Sequence, residues 1–123
     1  RPGSWCMDDR SKKLLFDVLS SASSIAEWCG GLAYDDYEES RQLRRAVERE
    51  FEVIGEALHR LEVVDTATAA LIDDLRRIVG FRNRIIHGYD TLDDATVWGV
   101  IEGRLPRLIE QVKVLLDQSG ESK

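Results

Sequence analysis

A chain of 123 residues has room for one domain, which excludes a two-domain enzyme. Its composition, with 43% hydrophobic and 33% charged residues and only 2 Pro, excludes both a disordered chain and a turn-rich β fold. The 23 acidic and 17 basic groups give a net charge of −6, so bulk electrostatic attraction cannot hold nucleic acid. Any nucleic-acid chemistry must come from a local cluster of positive charge.

The two ends of the chain lack helical periodicity. Residues 1–6 contain Pro-Gly-Ser and are expected to be a remnant of expression or a frayed start, and residues 119–123 a disordered tail. Between them we expect a single helical domain over residues 7–118. No run is long enough to span a membrane, no signal peptide is recognisable, and Cys6 and Cys29 lack a Cys-x-x-Cys spacing. We therefore expect a reduced, cytoplasmic setting without membrane contact.

Apolar residues recur at three- and four-residue spacings through the first half of the domain, the pattern of amphipathic helices. The first predicted helix begins among Asp and Lys residues and is stopped by Gly30-Gly31. The second runs from about Asp36 to Leu61, and its apolar spacings alternate between four and three. This alternation is typical of a helix that packs along another helix.

The second half continues the helical pattern. Asp65 or Thr66 is expected to cap a third helix that continues toward His87. Thr91, with an acidic residue three positions later, resembles the capping box of a fourth helix. Pro106 interrupts that helix and predicts a kink or break. The pattern predicts an all-α fold, an antiparallel bundle of four to five helices.

Arg82 does not fit the pattern of its own helix. Its neighbours at three- and four-residue spacings, Ile78, Val79, Ile85 and Ile86, are all apolar. The guanidinium therefore lies in the middle of a hydrophobic face, where an isolated charge would be costly. Arg82 needs an anionic partner or an interface that presents one.

Three further polar groups follow Arg82 within eight residues. Asn83 and His87 are four residues apart and can hydrogen-bond to each other, which would fix the orientation and tautomer of the imidazole. Gly88 is expected to end the helix and turn Tyr89 back beside His87. Arginine, amide, imidazole and phenol together indicate a phosphate-facing site on an otherwise acidic protein.

Structural alternatives exist for each of these residues taken alone. Arg82 could be an ion-pair partner for Glu50 or Glu56 on the second helix. A histidine near a helix C-terminus, such as His87, interacts favourably with the helix dipole whatever else it does. For the set together, we favour the functional interpretation, because chance rarely supplies the whole spacing.

Other polar groups carry weaker signals. His59 and Glu56 resemble half of a di-iron carboxylate site, but a second Glu-x-x-His is missing, so we predict no metal and place His59 on a solvated helix face. The arginine row from Arg41 to Arg49 alternates with glutamates and indicates a solvated charged face, or a surface for an acidic partner.

The motif Arg82-Asn83 followed by His87-x-Tyr89 resembles the Arg-x-x-x-x-His-x-Tyr motif of HEPN domains, in particular the HepT branch. The likeness covers nearly the whole chain from Met7. It includes the second-helix segment Phe51 to Ala57, the entry to the motif from Val79, and the last-helix segments Val97-Trp98 and Leu105-Pro106-Arg107-Leu108.

This resemblance implies an all-α homodimer with two motifs facing each other across a cleft. It implies metal-independent RNA cleavage by the toxin of a type VII-like toxin–antitoxin system, with no cofactor in the toxin itself. It also implies a partner, an MntA-like nucleotidyltransferase antitoxin that transfers AMP from ATP to the motif tyrosine, here Tyr89.

The residues fit this chemistry on independent grounds. Cleaving RNA without a metal requires deprotonation of a 2′-hydroxyl and protonation of the leaving 5′-oxygen, and imidazole suits either step. We expect His87 of each protomer to transfer protons, Arg82 to stabilise the phosphorane, and Asn83 and Glu56 to support and orient them. A 2′,3′-cyclic phosphate product follows. The competing hypothesis is a non-catalytic domain in which the same residues bind a nucleotide or a nucleotidyltransferase partner without turnover.

Overall fold

The computed structural model of the chain describes residues 7–87 and 93–120. Over those ranges all regular structure is helical, which confirms the predicted all-α bundle. The helices are α1 Asp9–Cys29, α2 Tyr34–Glu39, α3 Arg41–Val64, α4 Thr66–Ala69, α5 Leu75–His87, α6 Asp94–Gly103 and α7 Leu105–Gly120. The predictions made for residues 1–6, Gly88 and Tyr89 lie outside the described residues, as does Thr91 itself.

The first helix follows its predicted bounds. The carboxylate of Asp8 accepts a hydrogen bond from the Ser11 N–H at 2.9 Å and so caps the start of α1. At the other end Gly30 is extended and Gly31 has φ of +82°, a backbone conformation that favours glycine. The Gly30-Gly31 stop is therefore confirmed.

The predicted second helix is divided in two. Ser40 is extended, with φ −103° and ψ 99°, and separates α2 from α3. Its hydroxyl accepts from the Leu43 N–H at 3.1 Å, so Ser40 caps α3 instead of continuing the helix from Asp36. The apolar spacing of the predicted second helix begins at Leu43 and gave no support for a helix before Ser40, so the start at Asp36 was a wrong prediction.

The predicted third helix is also divided. Asp65 is the cap, as anticipated, and its Oδ1 accepts from the Thr68 N–H at 3.1 Å. The helix it caps is only one turn long, and α5 begins afresh at Leu75. Between them Asp73 pairs with Arg107 of α7, so the continuous helix was a wrong prediction. An ion pair between this carboxylate and an arginine of a distant helix leaves no periodic signal in the local sequence.

The last helical region breaks where proline predicted. α6 ends at Gly103, and α7 begins at Leu105 with Pro106 in its first turn, where a missing N–H costs little. The cap of α6 is Asp93, whose Oδ1 accepts from the Thr96 N–H at 2.8 Å, so the predicted capping box that begins at Thr91 was wrong for this helix. α7 continues to Gly120, two residues beyond the expected domain end at 118.

α3 is the central helix of the bundle and packs against both α1 and α5. The contact with α5 includes Phe51 and Phe81, whose ring centroids are 5.0 Å apart with perpendicular planes. Both rings are buried, and each contributes roughly 1.5–3 kcal/mol through the hydrophobic effect. This packing fixes the face of α5 that carries Arg82 over α3. None of the helices in the described part of the chain is both long and apolar enough to cross a bilayer.

Candidate functional site

Arg82 lies over α3 at the position of Gly55. A Cβ added at Gly55 would be 2.3 Å from Cβ and 2.6 Å from Cγ of Arg82, well inside van der Waals contact. The absence of a side chain at Gly55 therefore lets the arginine stem cross α3 at close range. Sequence reasoning gave Gly55 no role, although a glycine inside a strong apolar stripe, next to Ile54, is a recognised sign of close packing.

The guanidinium of Arg82 has the anionic partner that its apolar surroundings predicted. Its Nη2 donates to Oε1 of Glu56 at 2.7 Å, and its Nη1 donates to Oδ1 of Asn83 at 3.0 Å. Its Nε is enclosed and finds no partner among the described residues. The side chain is 23% exposed. The structural ion-pair alternative is thus realised in this geometry, with Glu56 and not Glu50 as the partner.

Glu56 holds two arginines at once. Its Oε2 accepts from Nε of Arg60, one helical turn further along α3, at 2.7 Å, while Oε1 accepts from Arg82. The hydrogen bond from Arg60 does most to lower the pKa of Glu56, and the charge of Arg82 lowers it further against the opposing effect of burial. Glu56 therefore remains ionised, and the three groups together carry one net positive charge.

This cluster lines a groove of about 380 Å³ between α1, α3 and α5, which we call the Arg82 groove. Its walls mix charged groups with apolar ones, and they are formed by Leu14, Asp17, Arg49, Glu52, Val53, Glu56, Ala57, Arg60, Arg82 and Ile86. Three arginines face three carboxylates in this small space. The groove is therefore a polar site in which an anion would compete with carboxylates of the same chain.

His87 does not line the Arg82 groove. It is exposed at the last position of α5, five residues and about 140° around the helix from Arg82. Arg84 and His87 are the basic residues of the last turn, where positive charge is favourable to the helix dipole. The structure brings Arg82, Asn83 and Glu56 together within one chain, but it leaves the imidazole on another side of α5.

Asn83 and Tyr89 are the other two residues of the predicted site on this segment. Asn83 is exposed, and its Oδ1 is engaged by Arg82. The predicted hydrogen bond between Asn83 and His87 stays a prediction. Tyr89 lies outside the described residues, so its place beside His87 also stays a prediction.

The weaker candidates have structural roles or lie apart. His59 is exposed on α3, as expected. Over residues 7–87 and 93–120 there is no group of three or more His, Cys, Asp or Glu side chains that could hold a metal ion. In the arginine row, Arg49 is 71% exposed and approaches Glu52 at 3.4 Å, as expected of a solvated charged face. Arg44 is only 24% exposed and approaches Asp94 of α6 at 3.7 Å, so it belongs to a contact between helices.

Comparison with known proteins gives the class to which this fold and site belong, a helical ribonuclease-type domain. The chain belongs to the HepT-like ribonuclease family, whose model, described as "Ribonuclease HepT-like", matches residues 18–115. The resemblance found in the sequence is thereby confirmed.

Individual relatives agree with the family assignment. "Putative RNase MJ1380" of Methanocaldococcus jannaschii is 28% identical over 104 residues, covering 85% of this chain and 94% of that protein. "Putative RNase MJ1216" of the same organism is 26% identical over 113 residues, covering 91% and 93%. "Putative RNase TTE0752" of Caldanaerobacter subterraneus is 28% identical over 101 residues, covering 82% and 89%. No solved structure gives a significant match.

Proposed function

We propose that this chain is the toxin of a type VII-like toxin–antitoxin system, a metal-independent endoribonuclease that acts as a homodimer. The observation that carries the proposal is the position of the Arg82 guanidinium, which Glu56 of α3 and Asn83 of α5 hold at a groove. Arg82 lies on α5, the helix that ends in His87. Membership of a ribonuclease family supports the same reaction class. The setting is cytoplasmic, and RNA is the substrate.

The positions of Arg82 and His87 on α5 support a dimeric site. Because the two residues lie about 140° apart around the helix, one chain presents them to different sides. A two-fold axis beside α5 would bring His87 of one protomer toward Arg82 of its partner. Ile86 lies between them and is 47% exposed, which gives such a contact an apolar centre.

In the proposed reaction, the 2′-hydroxyl attacks the adjacent phosphorus while the imidazole of one His87 takes its proton. The bond from phosphorus to the 5′-oxygen breaks, and the protonated imidazole of the second His87 gives a proton to that oxygen. Arg82 exchanges Glu56 for the phosphorane, whose charge it would stabilise by a few kcal/mol. Asn83 and Glu56 set the resting position of the guanidinium. The products are a 2′,3′-cyclic phosphate and a 5′-hydroxyl.

Silencing of the toxin would act through Tyr89, two residues after His87 in the sequence. An MntA-like nucleotidyltransferase antitoxin would transfer AMP from ATP to the phenol oxygen and release pyrophosphate. The attached nucleotide would place a bulky anion beside His87 and Arg82, where it occupies the phosphate site.

The test is RNA cleavage by the purified chain in excess EDTA, beside His87→Ala and Arg82→Ala. We expect cleavage by the unmodified chain alone, with cyclic phosphate at the new 3′ ends. A 3′-hydroxyl product, or complete dependence on added Mg²⁺, contradicts the mechanism. Treatment of Tyr89→Phe with the partner and ATP then tests the silencing. If that variant is still silenced by covalent AMP elsewhere, the assignment to Tyr89 is wrong.

One observation favours a second candidate function, a non-catalytic domain that binds a nucleotide or a nucleotidyltransferase partner. Glu56 neutralises Arg82 within its own chain, and a structural ion pair of this kind does not require turnover. The same cleavage assay separates the two functions. Binding of AMP or of the partner without any cleavage of RNA would establish the second.

A further inference from the structure

A second groove adjoins the Arg82 groove. It has a volume of about 520 Å³ and runs between α1 and α3, lined by Arg10, Lys13, Leu14, Asp17, His59, Arg60, Val63 and Val64. We call it the His59 groove. The two grooves share Leu14, Asp17 and Arg60. The two grooves meet at these residues along α1 and α3, with the guanidinium of Arg82 in one and Arg10 in the other, and we call the pair together the channel.

The charge of this joint channel is opposite to that of the whole chain. Five basic side chains line it, against three carboxylates, in a protein whose net charge is −6. The basic side chains are Arg10, Lys13, Arg49, Arg60 and Arg82. A local excess of cations on an acidic protein is the feature required for nucleic-acid binding here, because the overall field repels a polyanion.

The cations beyond Arg82 can exchange their present partners at little cost. Lys13 donates to Asp17 at 2.8 Å and Arg60 donates to Glu56 at 2.7 Å, but these two side chains are 72% and 66% exposed. Ion pairs so open to solvent contribute roughly 0–1 kcal/mol. A phosphate that enters the channel therefore replaces a weak pair, and Arg60 stands one helical turn beyond the carboxylate that holds Arg82.

The lining of the channel indicates which part of a nucleic-acid strand it would contact. Among the described residues that form the channel there is no Phe, Tyr or Trp on which a base could stack. Contacts in the channel would then be to phosphates, which position a strand without reading its sequence.

We propose that Arg60, Lys13 and Arg10 form a backbone-binding track for single-stranded RNA, which holds the phosphates that follow the one at Arg82. This inference rests on the proposed ribonuclease function and adds to it the binding residues outside the motif. Its consequence is tighter binding of long strands than of short ones, with little preference for base sequence.

The test measures binding of a fluorescent 12-nucleotide RNA by anisotropy, with every variant made in a His87→Ala background so that the strand stays intact. Arg60→Gln and Lys13→Gln are each expected to weaken binding about five- to tenfold at 50 mM salt. Each should also reduce the slope of log affinity against log salt by about 0.7, the loss of one phosphate contact. Lys13 contacts Asp17 and not Glu56, so its variant reports on the track independently of Arg82.

Matched controls lie elsewhere on the surface. Arg76→Gln removes an exposed arginine that pairs with Glu62 outside the channel, and Lys113→Gln removes an exposed lysine of α7. Both should leave affinity and salt slope unchanged, and thermal melting checks that all four variants are folded. If the track variants bind like the controls while the unmodified chain still cleaves RNA, the track is refuted and the ribonuclease function stands. If the chain neither cleaves nor binds RNA, the proposed function itself has failed.

Discussion

Arg82 of α5 crosses α3 directly over Gly55: a Cβ at Gly55 would lie 2.3 Å from the Cβ of Arg82. Two non-bonded carbon atoms cannot approach so closely, and the backbone of each helix fixes the position of its Cβ atom. The two helices would have to separate to admit even a methyl group. The position of the guanidinium over Glu56 therefore depends on a residue with no functional group.

Gly55→Ala is accordingly expected to destabilise the protein by about 1–3 kcal/mol, as overpacking does, even though alanine favours a helix over glycine. Its ribonuclease activity should also fall under conditions where the protein is still folded, because Arg82 is displaced from Glu56. Gly80→Ala is the matched control, since a Cβ at Gly80 meets nothing within 4 Å. Urea unfolding of both variants tests this. Equal stability of the two would show that α3 and α5 can separate freely.

Glu56→Gln keeps a hydrogen-bond acceptor for Arg82 but removes the charge that competes with phosphate. We expect tighter RNA binding, seen as a lower KM, together with a lower kcat, because the guanidinium is less firmly oriented. Glu52→Gln removes a carboxylate of the same groove that pairs with Arg49 and not with Arg82. Its effect should be confined to a smaller decrease in KM. An unchanged kcat in Glu56→Gln would remove Glu56 from the set of positioning residues.

Asp65 predicts a dependence of stability on acid. Burial raises the pKa of this carboxyl, but hydrogen bonds from Thr68 and Ser11 outweigh it, so the pKa lies below its ordinary value. A lowered pKa in the folded state means that the stabilisation is fully present above the ordinary carboxyl pKa and is lost as pH falls from that value through the lowered pKa.

Asp65→Asn should therefore lower the free energy of unfolding by about 1–2 kcal/mol at pH 7, where the charged cap and the Ser11 contact are lost. The difference from the unmodified protein should shrink as pH approaches 3. Urea unfolding at pH 7, 5 and 3 measures it. A difference that stays constant with pH would mean that ionisation of Asp65 contributes nothing.

Tyr37 offers a test of an unsatisfied polar group. The ring is fully buried, with its centroid 5.3 Å from that of Trp98, while its hydroxyl has no partner within the described part of the chain. Burial raises the pKa of Tyr37, so the phenol stays neutral. Tyr37→Phe keeps the ring and removes the unsatisfied oxygen, and we expect a gain of up to about 1 kcal/mol. A loss of stability would indicate a hydrogen bond at that oxygen in solution.

The sequence predicted those features of the fold that depend on periodicity or on a local cap. The stop at Gly30-Gly31, the cap at Asp65 and the break before Pro106 all belong to this kind, because each signal lies within a few residues of its effect. The interruptions at Ser40 and between α4 and α5 were missed. They depend on the side-chain cap that Ser40 gives to Leu43 and on a pair between Asp73 and Arg107, 34 residues apart.

The candidate site was predicted in the same partial way. The apolar neighbours of Arg82 indicated that it needs an anion, and Glu56 was one of two candidates. Which of the two glutamates pairs with Arg82 depends on how α5 packs on α3. That packing joins residues far apart in the chain and has no local signal in the sequence. The close approach at Gly55 and the second arginine on Glu56 depend on the same packing.

The hydrogen bonds that Glu56 accepts from Arg60 and Arg82 have a consequence for selectivity among anions. Glu56 is attached to the protein, so Arg82 meets it at an effective concentration that dilution cannot change, in the millimolar range or above. Small monovalent solutes such as chloride or acetate compete poorly with a carboxylate presented in this way. On the proposed track, a polymer of phosphodiesters would contact several cations at once and gain the multivalency that single ions lack. If RNA binds as proposed, Glu56 would therefore favour a nucleic-acid strand over the simple anions that are abundant in a cell.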